Sequence, residues 1–418
     1  MSGGKVYGLL GRKLGHSWSV PIHQAFGCPD YQLIELEPED LSPFLAREDI
    51  GGLNVTIPYK RQVLPLCGWV HEDAQAVGSA NTIARREDGV LCAWNTDVTG
   101  FRCLVKRSGI PLERRKVTIL GSGGASLAVQ YAAKLEGARE IVVVSRAGPD
   151  NYENLSRHAD TDVLVNATPV GMYPGNGASP VDLDAFPALR GVLDLIYNPR
   201  RTALLMQAEE RGIPCAGGLA MLVSQAAAAE ERFNGASISV REQGRVLERL
   251  RRSTANLVLI GMPGSGKTTV GKALAALSGR QAVDLDQLIA ARAGCSIPEI
   301  FARQGEAAFR ALEREAVAEA GKRTGILILT GGGVVKDPAN YAPLRQNGRI
   351  YHLLRDLNAL PVEGRPLSQG ADLSEMWRQR APLYERFRDV AVDNNGPAAQ
   401  TAGEIWRNFC AHIGTERP

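Results

Sequence analysis

The chain has 418 residues, 44% hydrophobic and 22% charged, the composition of soluble globular units with material for more than one core. Lysine and arginine exceed aspartate and glutamate only as 48 to 45, so no bulk basic surface points to nucleic acid or an anionic membrane, while small anionic ligands stay open. Seven scattered cysteines, with no Cys-x-x-Cys pair and no histidine at metal spacing, read as buried thiols of a reducing compartment. No apolar run reaches the roughly 18 residues of a membrane span, and the expectation is a cytoplasmic chain without export signal or anchor.

Lys5 to Leu10 reads as a strand, followed by a polar loop from Gly11 to Ser19 and a helix around Pro21 to Phe26. Ser17 and Ser19 can both aim hydroxyls at a hydroxylated or carboxylate ligand, and could equally cap the helix. Leu53-Asn54-Val55-Thr56-Ile57 is a strand stopped by Pro58, with Lys60 just past its carboxyl end, the edge of an open α/β sheet at which ligands bind. A helical stretch from Val70 to Val77 precedes Asn81-Thr82-Ile83 and Asn95-Thr96-Asp97, both at strand edges. Brought together, Lys60 and Asp97 form a proton-transfer pair; left apart, they are two surface charges.

Lys116 to Leu120 then runs into Gly121-Ser122-Gly123-Gly124-Ala125-Ser126, a helical stretch from Leu127 to Leu135 and a strand from Ile141 to Ser145. Strand, glycine turn, helix and strand in this order make a dinucleotide-binding unit, because the glycines let a pyrophosphate approach the backbone at a helix N-terminus. Ser145-Arg146 stands where an NAD enzyme carries an acid; the arginine suits the 2′-phosphate of NADP, or is a solvated arginine blunted by Asp150. Strands from Asp162 to Asn166 and from Val192 to Ile196 end at the same ligand edge, the second at Tyr197-Asn198-Pro199.

Ser239-Val240-Arg241-Glu242 reads as a capping box opening a charged helix to about Arg252, whose charge run reads as a solvated face. Almost without linker, the apolar run Leu257 to Ile260 breaks into Gly261-Met262-Pro263-Gly264-Ser265-Gly266-Lys267-Thr268-Thr269, a full phosphate-binding loop in its strand and helix context. Its backbone N–H groups form the nest, Lys267 reaches the outer phosphates and Thr268 offers a hydroxyl to Mg²⁺. Val283-Asp284-Leu285-Asp286 reads as a strand end with two acids; helices start near Ile297 and Gly305, and a buried strand from Ile326 to Leu329 breaks into Thr330-Gly331-Gly332-Gly333.

Two resemblances emerge. The ordered series GRKLGHSWS, LNVTIPYK, GSANTI, WNTD, GSGGAS, VNATPVGM, DLIYNPRRTALL and GGLAMLVSQA resembles the shikimate dehydrogenase family over residues 5 to 250. It implies a substrate domain at 1–101 and 215–252, a Rossmann-like NADP domain at 102–214, and an NADPH-dependent reduction of 3-dehydroshikimate without metal. Ser17, Ser19, Thr56, Asn81, Tyr197 and Gln225 would contact substrate, and Lys60 and Asp97 would be the catalytic pair. Gly121, Ser122, Gly123, Gly124, Ala125, Ser145, Arg146 and Gly218 would hold the cofactor. The family's proline directly after the second serine is displaced here by Val20.

The series DxD, GExxFR, TGGGVV, RPL and RxPLY resembles shikimate kinase over residues 256 to about 410, implying a P-loop domain with a central parallel sheet at 253–418. It implies Asp284 and Thr268 at Mg²⁺, Asp286 against substrate hydroxyls, and Arg310, Gly332 and Arg380 at the substrate. Arg365 would sit in a lid, with Gly264, Ser265, Gly266, Lys267, Thr268 and Thr269 on ATP. Two departures stand out: the segment from Leu353 to Gly364 is short and poor in basic residues, and Val392 to Pro397 lacks the arginine some relatives place against adenine. The alternatives are a quinate-type dehydrogenase, a kinase for another polyol, and a catalytically silent module. Paired serines and paired arginines argue against the first two, and intact Lys60, Asp97, Lys267 and Asp286 against the third.

Overall fold

The computed structural model describes residues 4–15, 17–360 and 373–413 and builds them on three sheets. The first contains β1 (Val6–Gly11), β2 (Gln32–Glu35), β3 (Ile50–Val55), β4 (Trp69–Val70), β5 (Thr82–Arg85) and β6 (Leu91–Trp94), in the order β2-β1-β3-β5-β6-β4. β1 runs parallel to β2 and β3, and β5 antiparallel to β3 and β6. α1 (Ser19–Ala25), α2 (Leu41–Leu45) and α3 (Glu72–Val77) connect its strands. Two expected boundaries move. α1 starts two residues before Pro21, and the stretch expected to be helical from Val70 begins only at Glu72, because Trp69 and Val70 pair with β6 and the His71 ring accepts from the Asp73 N–H as a cap.

After α4 (Thr96–Ser108) comes a wholly parallel sheet of β7 (Lys116–Leu120), β8 (Glu140–Val144), β9 (Val163–Asn166), β10 (Gly191–Asp194) and β11 (Cys215–Gly217), ordered β11-β10-β9-β7-β8. α5 (Gly124–Leu135) follows β7 and α6 (Ala203–Glu210) follows β10. Every residue of β7, β9 and β10 is buried, as expected for parallel strands covered on both faces. β8 and β10 stop short of the expected Ser145 and Ile196. The Ser145 N–H turns back to the Asp150 carbonyl, and the Asp194 carboxylate takes the Ile196 N–H, so neither residue continues the ladder.

α7 (Leu219–Asn234) returns to the first sheet, where a Cβ on Gly52 of β3 would collide with the Phe233 ring; only glycine lets the helix come so close. α8 (Val240–Thr254) buries Val246, Leu247 and Leu250 in the core shared with β7 and α5 and exposes Arg241, Arg245, Arg249 and Arg252. Its Ser239 cap takes the Glu242 N–H, one half of the expected capping box. Only Ala255 then separates α8 from the third sheet.

That sheet is parallel, with β12 (Asn256–Ile260), β13 (Ala282–Asp284), β14 (Leu327–Leu329), β15 (Gly348–Leu354) and β16 (Val390–Asp393) ordered β13-β14-β12-β15-β16. Around it lie α9 (Lys267–Ser278), α10 (Leu285–Ala293), α11 (Ile297–Lys322), α12 (Tyr341–Arg345), α13 (Leu373–Phe387) and α14 (Ala398–His412). Asp286 is not at a strand end as expected. Asp284 closes β13 and caps α10 by accepting the N–H groups of Asp286 and Gln287, which puts Asp286 in the first helical turn. The two helices expected near Ile297 and Gly305 form α11, kinked at Gly305 (φ 82°).

The second and third sheets are pinned together by the connections after β9 and after β10. The Arg200 N–H donates to Asn347 Oδ1 (3.0 Å) and the Arg201 N–H to the Gln346 carbonyl (2.9 Å), while Asn176 Nδ2 donates to Gln346 Oε1 (2.9 Å). Arg345 reaches Glu209 at 3.2 Å and Asp389 at 2.6 Å, which raises its pKa despite burial. The seven cysteines are free, but only Cys28 and Cys92 are buried; the other five keep partial exposure, against the expectation of wholly buried thiols. Among the described residues no helix is long and apolar enough to cross a membrane.

Candidate active sites

At the carboxyl edge of β1 and β3 a cavity of about 250 Å³ is lined by Ser17, Ser19, Thr56, Lys60, Asn81, Asp97, Tyr197 and Gln225, all eight expected substrate and catalytic residues. Lys60 Nζ lies 2.6 Å from Asp97 Oδ2, with the two side chains 19% and 12% exposed. The other oxygen, Asp97 Oδ1, accepts from Asn81 Nδ2 at 2.9 Å, and Asn81 Oδ1 takes the Thr96 N–H at 2.7 Å. Asp97 is therefore fixed at the first turn of α4, where the helix favours negative charge, with one oxygen left to Lys60. Neither serine is the N-cap of α1, which is Trp18, but Ser17 Oγ accepts the Ser19 N–H at the helix start (3.2 Å) and donates to Ser19 Oγ (3.0 Å) on the cavity wall.

A buried polar layer supports this wall and was not anticipated. Asn54 accepts from Tyr31 Oη (2.7 Å) and donates to Thr82 Oγ1 (3.3 Å). Tyr31 stacks on His23 at 3.9 Å, and His23 Nδ1 meets Glu230 Oε1 at 2.5 Å. Burial pulls the His23 pKa down against the opposing pull of Glu230, and the contact ties α1 to α7.

Facing the same cavity is the turn after β7. Gly121 adopts φ 98°, a Cβ on Gly123 would meet nothing within 4 Å, and one on Gly124 would meet only Lys60 Cδ at 3.9 Å. The open side of the glycine turn thus looks onto Lys60, and Ala125 and Gly218 line the cavity with it. Ser122 and Arg146 are exposed and Ser145 half-buried. Asp150, which could have blunted Arg146, is engaged by His158 Nε2 at 2.8 Å. Beneath the turn, burial raises the Asp194 carboxyl to about 6 while Thr202, Asn166 and the Ile196 N–H donate to it.

A second cavity, of about 550 Å³, is walled by Gly264, Gly266, Lys267, Thr268, Thr269, Asp284, Asp286, Arg310, Gly332 and Arg380. Gly264 and Gly266 take φ 84° and 90°, the left-handed backbone that turns successive N–H groups into one nest. Ser265 is not on the wall: its side chain is buried and its N–H donates to the Met262 carbonyl. Lys267 Nζ donates to the carbonyls of Gly261 (2.8 Å) and Met262 (2.9 Å). Burial first, and then Asp284, raise the Asp286 pKa against the opposing pull of Lys267 and Arg310. Arg365 lies outside the described residues.

Arg310 differs from expectation. Its guanidinium is held by Glu313 (2.6 Å) and Glu306 (3.0 Å), so it enters the site already neutralised, and Glu313 is a buried acid of this cavity that sequence reading missed. The spacing carried the signal, since Glu306 and Glu313 stand four before and three after Arg310 on one helix. Arg380 has no acidic partner among the described residues and donates to the Gly332 carbonyl at 3.1 Å, as does Tyr384 Oη at 2.6 Å. A larger cleft of about 710 Å³ runs between α8 and α14 past Arg245, Arg249, Arg252 and Trp406, and holds none of the expected site residues.

These two sites define a chain with a dinucleotide-type oxidoreductase module joined to a P-loop phosphotransfer module. Residues 9–83 match the family model of the shikimate dehydrogenase substrate binding domain, and residues 263–410 match that of shikimate kinase. The chain is 36% identical over 254 residues to the NADP(+) shikimate dehydrogenase of Caldicellulosiruptor bescii, covering 53% of this chain and 86% of that one. A solved chorismate mutase/shikimate 5-dehydrogenase fusion protein from Clostridium acetobutylicum is 37% identical, with TM-score 0.57 over 59% of this chain and 97% of the other. Shikimate 5-dehydrogenase from Thermus thermophilus, solved with NADP(H) and shikimate, is 31% identical, with TM-score 0.53 over 59% and 99%. The chain belongs to the shikimate dehydrogenase family and carries a shikimate kinase domain at its C-terminal side: it is a bifunctional enzyme of the shikimate pathway.

Proposed function

We propose that the first cavity reduces 3-dehydroshikimate to shikimate with NADPH, and that the second transfers the γ-phosphoryl group of ATP to shikimate, giving shikimate 3-phosphate. The observation that carries the reading is the Lys60–Asp97 pair at 2.6 Å, placed beside the open side of the glycine turn. Bound NADPH supplies the hydride. Its pyrophosphate fits the turn from Gly121 to Ala125, where a Cβ on Gly123 would meet nothing within 4 Å, and its 2′-phosphate fits exposed Arg146. Lys60 donates the proton that the developing alkoxide needs, and in oxidation accepts it again. Asp97, fixed by Asn81, aims the ammonium. Ser17, Ser19, Thr56, Asn81, Tyr197 and Gln225 bind the carboxylate and ring hydroxyls from the surrounding wall.

In the second cavity the nest from Gly264 to Thr269 cradles the phosphates, and Lys267 leaves the loop carbonyls to reach them. Thr268 and Asp284 would hold Mg²⁺; both face the cavity, and a hydroxyl with one carboxylate suits an ion that keeps most of its waters. Lys267 offsets charge on the transferring phosphoryl, and Mg²⁺ held there would supply further positive charge. Asp286, its pKa raised, takes the proton of the attacking hydroxyl. Arg380 is the principal fork for the substrate carboxylate, and Arg310 contributes where Glu306 gives way. The test is a crossed pair of variants. Lys60→Ala should abolish NADPH oxidation and spare shikimate-dependent ADP release, and Asp286→Asn should do the reverse; a variant that removes both activities, or neither, contradicts the assignment.

A further inference from the structure

We infer that Arg355 is a nucleotide-phosphate-binding residue of the second cavity, a role that rests on the kinase reading above. Between Leu353 and Gly364 the sequence is poor in basic residues, and Arg355 is its one lysine or arginine. It follows directly on Leu354, the last residue of β15, and β15 is the strand paired with β12, from which the phosphate loop springs. The guanidinium lines the cavity together with Gly264, Gly266 and Lys267. Its Nη1 lies 3.5 Å from the place a Cβ would take on Gly266, the residue that turns the nest.

An arginine in such a place is ordinarily spoken for by an acid. Arg310 in the same cavity has Glu306 and Glu313, whereas Arg355 makes no hydrogen bond or ion pair among the described residues. A guanidinium left free beside a backbone nest and an ammonium repels both unless an anion joins them, and its planar fork matches two phosphate oxygens. The topology says which phosphates. Asp284 at the end of β13 and Asp286 in the first turn of α10, where the acceptor hydroxyl reacts, stand two strands from β12 on the side of β14, while Arg355 flanks the nest on the opposite side, just past β15. Arg355 therefore holds the phosphates that remain with ADP, and stabilises bound nucleotide before and after transfer alike.

Binding that is equal in ground and transition states shows in KM and not in kcat. Arg355→Ala in the full chain should raise KM for MgATP and the dissociation constant of MgADP by the same factor, about tenfold, with kcat within about twofold, and Arg355→Lys should recover part of the loss. Because Arg355 is exposed and unpartnered among the described residues, the fold is not at stake, and dehydrogenase turnover of the same sample should be unchanged. The assignment is overturned by a variant whose KM and MgADP affinity stay within about twofold of the wild type. It is overturned as well by one whose kcat falls about tenfold while MgADP binding is kept. A wild-type chain that neither binds MgADP nor phosphorylates shikimate overturns the kinase reading with it; a wild type that does both, matched by Arg355→Ala, overturns only the role of Arg355.

Discussion

Replacing Lys60 by alanine removes the ammonium held 2.6 Å from Asp97 at the wall of a cavity of about 250 Å³. Loss of a positioned general acid costs on the order of 100-fold or more in rate, about 2.7 kcal/mol in the barrier. A second cost is structural. Asp97, 12% exposed, keeps only the Asn81 amide on its other oxygen, and a carboxylate stripped of its charge partner destabilises the local fold by about 1–3 kcal/mol. The two are separable because the chain carries its own reference: kinase turnover of the same sample reports the concentration of intact protein. At saturating NADPH, Lys60→Ala should lower kcat for 3-dehydroshikimate by at least about 100-fold and change KM by no more than a few-fold. Asp97→Asn should lose a similar factor. Since the residues act as one unit, the double variant should be little worse than the poorer single. A kcat for Lys60→Ala within about threefold of the wild type, or losses that multiply in the double variant, would remove Lys60 and Asp97 from the proton-transfer step.

Arg146→Ala should raise KM for NADPH about tenfold and leave KM for NADH nearly unchanged; equal losses with both coenzymes, or a wild type that prefers NADH, would remove the 2′-phosphate contact. His352 is buried on β15 and stacked on Tyr384 at 4.4 Å, and its pKa is pushed down to about 4, first by burial and then by Arg388 and Lys267. The unfolded chain binds that proton near pH 6.5, so the kinase module should lose stability as pH falls from about 6.5 to 4 and not change on this account above it. His352→Phe should flatten that dependence in thermal unfolding, and an unchanged slope would show that other groups carry it.

Much of both sites was legible because it rests on local chemistry. The nest at Gly264 to Thr269 and the turn at Gly121 to Ala125 are set by backbone that only glycine adopts readily beside a helix start, and such patterns survive in one dimension. Lys60 and Asp97 were legible as residue types at strand edges, but their pairing is a product of β3 meeting α4. Strand ends were overrun at Ile196 and Asp286 because carboxylates, at Asp194 and Asp284, captured the next N–H groups and began turns that an apolar pattern does not announce. His23 and Glu230 are 207 residues apart, and the contacts of Arg200 and Arg201 with Asn347 and Gln346 join separate modules; no local periodicity encodes either.

Whether one chain performs two consecutive steps is tested by a single reaction of the purified 418-residue chain with 3-dehydroshikimate, NADPH and MgATP. One NADPH should be oxidised and one ADP formed for each 3-dehydroshikimate consumed, with shikimate 3-phosphate as the product and free shikimate as the intermediate. The module join is short and offers no flexible arm to carry that intermediate, so added unlabelled shikimate should dilute label in the product. NADPH oxidation without ADP formation, ADP formation independent of shikimate, or neither, would contradict the two-step assignment.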